Sequence, residues 1–151
     1  MRRKDRDIKL REEIEAIIEK SLVCRLGMAD EDGPYIVPLS FGYADNRLYF
    51  HSAKEGRKLD ILRKNNKVCF EFDTDKEIVR GDKACDWGIK FKSVIGFGKA
   101  FIVEDVESKK AALDIIMAHY SSGQFAYDEK NLKRTVIIKV EIESMTGKKK
   151  E

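Results

Sequence analysis

No stretch of about 18 apolar residues occurs in the chain, so no membrane-spanning helix is expected. The basic amino terminus, MRRKDRDIKL, runs into an acidic amphipathic stretch and not into the apolar core of a secretion signal. Cysteine is scarce: Cys24, Cys69 and Cys85 are an odd number, widely spaced, without a Cys-x-x-Cys pair, and only two histidines accompany them. That pattern argues against a disulfide framework and against a zinc set of ordinary spacing. An excess of one charge is also missing, since 30 Lys and Arg stand against 27 Asp and Glu for a formal charge of +3. A domain that coats nucleic acid carries a larger imbalance. The expectation is a cytoplasmic, reduced protein with no nucleic-acid or membrane partner.

What is present suits one folded domain spanning 1–151. Hydrophobic residues make up 42% and charged residues 38%, enough apolar side chains for one core and too many charges for a bilayer. Glu12 to Lys20 places Ile14, Ile17 and Ile18 on one helical face, acidic early and basic late as the helix dipole prefers. Ser21 to Ala29 and Tyr35 to Tyr43 read as strands joined by the turn-forming Asp30 to Pro34, a hairpin signal. Ala44, Asp45 and Asn46 reverse the chain again into Arg47 to His51. Glu55 to Lys64 then repeats apolar positions at Leu59, Ile61 and Leu62, as a helix ending at Asn65 and Asn66 would.

Val68, Phe70 and Phe72 alternate on a strand, and Lys92 to Val103 forms a longer one in which Gly96 and Gly98 let a barrel bend. Asp105 caps a helix whose Leu113, Ile116, Met117 and Tyr120 share a face. Ser121 to Lys133 reads as loop, Thr135 to Ile142 as a central strand, and the remainder as a short charged C-terminal tail. Short strands, hairpin turns and few helices give a mostly β class, an antiparallel barrel with flanking helices. A parallel dinucleotide fold is disfavoured, because no GxGxxG opens a helix after the first strand.

The most informative stretch for chemistry is YFHSAKEGRKLDIL, Tyr49 to Leu62. A strand delivers His51, Ser52 and Ala53, and Gly56, Arg57 and Lys58 follow at a helix start. Free N–H groups, the positive end of the dipole, a hydroxyl and one or two cations can together cradle a phosphate. From spacing alone, a hairpin followed by a solvated helix explains the same residues.

This stretch, with CRLGMADEDGPYIVPLSFGY and WGIKFKSVIGFGKAFIVE on either side and RTVIIKVEIESMTGKK at the end, resembles the FMN-binding split-barrel proteins related to pyridoxamine 5'-phosphate oxidase. More narrowly it is similar to the nitroimidazole-resistance (Nim-type) branch. The resemblance implies an antiparallel split barrel of the Greek-key type, with six strands or a similar number, assembled as a homodimer that holds two FMN molecules between subunits. It implies that Val37, Pro38, Leu39 and Ser40 run beside the flavin ring, and that His51, Ser52, Ala53 and Lys58 hold the phosphate, with Arg57 a further candidate. Trp87 and Ser93 would reach the flavin from the second subunit. His51 would also be the catalytic proton donor, an imidazole that titrates near neutrality.

The implied activity is an FMN-dependent oxidoreductase that takes electrons from NADH or NADPH and reduces a small oxidised organic molecule such as a nitro-compound. Non-catalytic flavin-binding or haem-binding modules are the alternative. Pyridoxamine 5'-phosphate oxidase activity is disfavoured, because the oxidases carry an arginine and histidine motif near their carboxyl end where this chain reads VEIESMTGKKK. The other reactive groups read as structural. His119 is expected as a surface group at a helix end, Cys24 and Cys69 as buried small hydrophobes, and Cys85 as exposed.

Overall fold

The computed structural model describes residues 3–151. Its strands are β1 (Asp7–Ile8), β2 (Cys24–Asp30), β3 (Gly33–Leu39), β4 (Gly42–Ala44), β5 (Arg47–Ala53), β6 (Lys67–Val79), β7 (Gly88–Val103) and β8 (Thr135–Lys150). Its helices are α1 (Arg11–Lys20), α2 (Arg57–Lys64), α3 (Val106–Tyr120) and α4 (Glu129–Arg134). The strands form one sheet in the order β3-β2-β6-β7-β8-β5-β4, with β1 added beside β8 and every pairing antiparallel. This is the split-barrel architecture expected. Two of the eight strands, β1 and β4, are only two and three residues long.

The turns follow from residue chemistry. Asp30 pairs with Gly33, Gly33 has φ 115°, and the Asp30 carboxylate accepts from the Asp32 N–H at 3.0 Å. Between β4 and β5, Asp45 and Asn46 both hold positive φ, 49° and 60°, as a tight two-residue hairpin demands. Alternation then builds the core. Leu26, Leu48, Phe50, Val68, Phe70, Phe72, Val94, Ile138 and Val140 point inward, and α1 and α2 close the ends with Ile14, Ile17, Ile18, Leu59, Ile61 and Leu62. Gly96 leaves space for a ring: a Cβ there would lie 2.1 Å from Phe70 Cζ. Gly98 sits where the β7–β8 register shifts, and its missing Cβ makes room for the Glu141 carbonyl.

Five expectations are corrected. The charged tail does not trail free: β8 continues to Lys150, pairing Phe91 with Lys150 and Lys92 with Lys149, so long-range ladder bonds override a composition poor in strand formers. The loop expected over Ser121 to Lys133 contains α4, capped by Asp128 and held at its far end by buried Lys109, which donates to the carbonyls of Leu132 and Thr135. The expected buried face of α3 is rotated, since Lys109, Ala112 and Ile116 are the residues it buries.

Cys69 is exposed, because it lies between inward Val68 and Phe70 and must face outward; Cys24 is buried and Cys85 exposed, as expected. His119 is half-buried, its Nε2 donating to the Ser21 carbonyl at 2.7 Å and its ring 4.3 Å from that of Phe41. Tyr120 completes this clamp by accepting from the Phe41 N–H and donating to the Leu22 carbonyl.

Candidate functional site

The sheet ends on β3 and β4, so the barrel is open along those two edges. β4 pairs with β5 only from Arg47 to Tyr49, which leaves the last residues of β5 unpaired on that side. There the strand hands over to α2, and the junction forms a cleft of about 170 Å³ lined by Tyr35, Ser52, Ala53, Glu55, Gly56, Arg57, Lys58 and Leu59. Tyr35 brings the open edge of β3 to the end of β5.

Several features give this cleft the chemistry to hold an anion. Gly56, the residue before α2, has φ 136° and no side chain with which to cap the helix. The first intrahelical bond runs from the Asp60 N–H to the Gly56 carbonyl, so the N–H groups of Arg57, Lys58 and Leu59 have no acceptor among the described residues. Ser52 is 7% exposed, and its hydroxyl makes no hydrogen bond among the described residues. Neither Arg57 nor Lys58 forms an ion pair among the described residues, and the Arg57 guanidinium stacks on the Tyr35 ring at 4.4 Å to the centroid. A phosphate offers the charge and acceptor oxygens that these groups lack.

The residues expected to hold FMN are only partly brought together. Ser52, Ala53, Arg57 and Lys58 line the cleft. His51 does not, because neighbours on a strand face opposite ways: Ser52 points inward with Phe50, whereas His51 is exposed on the outer face opposite Ile137. Val37 and Leu39 are half-buried against the core, Pro38 is exposed, and Ser40 lies exposed between β3 and β4. Trp87, 52% exposed, follows a short turn near the start of β7, with the Arg80 guanidinium 6.0 Å from its ring. Ser93 pairs with Asp73 and Lys148 further along β7. Neither lines the cradle of its own chain.

Sequence reasoning missed Tyr35 and the outer face of the sheet. Ile36, Ile95 and Phe97 are 62%, 48% and 57% exposed. A cleft of about 600 Å³ lies between Ile36 and Phe97, lined also by Met28, Pro34, Tyr35 and Cys69, and Tyr35 is the residue it shares with the cradle. The signal was available: β7 carries apolar residues at both parities, inward Val94 and Ala100 and outward Ile95 and Phe97, which a strand with one face in water does not need.

Residues 10–149 match the family model for pyridoxamine 5'-phosphate oxidase. The chain belongs to the pyridoxamine 5'-phosphate oxidase family. Among solved structures, a candidate 5-nitroimidazole antibiotic resistance protein from Bacteroides thetaiotaomicron is 38% identical, with a TM-score of 0.85 over 94% of this chain and 85% of that one. A flavocytochrome from Azotobacter vinelandii shares the fold at 19% identity, with a TM-score of 0.88 over 100% of this chain and 72% of that one. An uncharacterized protein of Rhizobium meliloti (strain 1021) is 38% identical over 61 residues, 40% of this chain and 40% of that relative's length.

Family membership fits the open-edged antiparallel barrel. Among the described residues, this family member has no group of three or more potential metal ligands and no helix long and apolar enough to cross a membrane.

Proposed function

We propose that the protein binds FMN as a homodimer and works in the cytoplasm as an oxidoreductase, passing electrons from NADH or NADPH to a small oxidised organic molecule such as a nitro-compound. The observation that carries this reading is the cradle, whose unpartnered N–H groups, Ser52 hydroxyl, Arg57 and Lys58 suit a phosphate monoester. When bound, the flavin would supply the hydride-transfer chemistry. The protein's part is to grip the phosphate, present the open edge of β3 from Val37 to Ser40 to the ring, and exclude water.

A second copy covers the exposed apolar face around Ile36, Ile95 and Phe97, which is costly to leave in water. Trp87 and Ser93, remote from the cradle of their own chain, then serve the partner's site. His51 faces away from the phosphate and acts as the proton donor. The similarity to the Bacteroides protein favours a nitro group as acceptor.

The direct test is anaerobic turnover of the FMN-loaded protein with NADH or NADPH and a nitroimidazole. Consumption of both is the expected result. Retained flavin without turnover would make the chain a carrier. Replacing His51 with Gln should leave FMN bound and lower turnover about a hundredfold, the usual scale of a lost proton donor; an unchanged rate would remove His51 from the chemistry.

Thiol labelling reports on the interface. Cys85 should react quickly, Cys69 only when the dimer dissociates on dilution, and Cys24 only on unfolding, since burial pushes its thiol pKa up. Fast labelling of Cys69 at high protein concentration would place the interface elsewhere.

A further inference from the structure

A third cleft lies on the other side of β5 from the inward-facing Ser52. α3 is pinned to the barrel at its carboxyl half: a Cβ on Gly42 would meet the Ile116 backbone N at 2.7 Å, and His119 and Tyr120 clamp the end. Its amino half presents Ala111 and Ala112 toward the outer faces of β5, β7 and β8, and these short side chains leave a cleft of about 450 Å³. Val103, Ile115 and Ile137 make its apolar floor. That volume suits a molecule of one or two rings.

The rim is polar and carries an unused cation. Arg47 and Tyr49 stand two residues apart on β5 and both line the cleft, with Lys139 directly opposite Tyr49 on β8. Neither the Arg47 guanidinium nor the Tyr49 hydroxyl has a hydrogen-bond or ion-pair partner among the described residues. Glu141, across the ladder from Arg47, turns instead to Lys139 at 3.5 Å. Asp105 also lines the cleft, but its carboxylate is engaged in capping α3 through the Ser108 N–H at 2.9 Å. An apolar floor beneath a free guanidinium fork and a phenol fits an apolar ring body ending in one carboxylate.

We propose that this cleft is a binding site for an aromatic monocarboxylate. It shares no lining residue with the phosphate cradle, so binding at the two places can be read apart.

The test is a calorimetric titration of the full chain with naphthoate, and with naphthalenemethanol as the uncharged analogue. Saturable binding of one naphthoate per chain is expected, with much weaker binding of the alcohol. Arg47→Gln should weaken naphthoate at least about tenfold by removing a charge-assisted contact. Ala111→Leu, a change at an exposed helical position, should weaken it by filling the mouth. Arg57→Gln, in the cradle, should change nothing. No saturation into the millimolar range, equal binding of the alcohol, or an affinity unmoved by either Arg47→Gln or Ala111→Leu would overturn the proposal. So would loss of binding with Arg57→Gln, which would move naphthoate to the cradle.

Discussion

Replacing Arg57 and Lys58 together with glutamine is expected to weaken FMN binding at least about a hundredfold while leaving the fold intact. Each side chain removes one charge-assisted contact to the phosphate, worth roughly 1.5 to 3 kcal/mol, and each 1.4 kcal/mol is tenfold in affinity. The hundredfold figure takes the low end of that range, because the two contacts share one phosphate and do not add fully. Neither residue supports the core: Arg57 is exposed, Lys58 half-buried, and the helix is anchored by Leu59, Ile61 and Leu62. Lys58→Ala alone should cost at least about tenfold. Titration of each variant by quenching of flavin fluorescence reads the effect, with thermal unfolding as the control. An unchanged affinity would move the phosphate away from the β5–α2 junction.

A large loss of stability is expected at Gly96. Valine there would place its Cβ 2.1 Å from Phe70 Cζ and 2.5 Å from Cε2, and the ring is buried in the core at 1% exposure. Overpacking a filled core costs about 1 to 3 kcal/mol where neighbours can yield, and displacing a whole ring takes Gly96→Val to the top of that range or beyond. For a chain of this size the melting temperature should fall by roughly 6 to 12 °C. Combining Gly96→Val with Phe70→Leu should recover part of the loss, because the smaller side chain vacates the contested volume. A purely additive double variant would show that Gly96 serves the bend of the strand and not the ring beside it.

The two cases illustrate what a sequence makes legible. Turns, hairpins and inward parity were readable because they depend on near neighbours: Asp45 and Asn46 accept positive φ, and Val68, Phe70 and Phe72 alternate. The cradle was readable for the same reason, since Ser52, Ala53, Gly56, Arg57 and Lys58 lie within seven positions. Strand parity by itself separates His51 from Ser52, and it also turns Cys69 outward between Val68 and Phe70.

Features fixed by distant partners were not readable. The lysines at the end of β8 become strand by pairing with the start of β7, and α4 is held by Lys109, more than twenty positions upstream. Tyr35 joins the site by stacking under Arg57 across the open edge of the barrel. His119 lies at a helix end, where a surface cation is ordinary, and only the packing of α3 against Phe41 and Ser21 draws it inward.

The absorption spectrum of the freshly purified protein, before and after denaturation, tests the central claim most directly. The account predicts a yellow protein carrying up to one flavin per chain, released as FMN on unfolding, or a colourless one that takes up added FMN to that ratio. A protein that neither retains flavin nor binds it when offered would contradict the account.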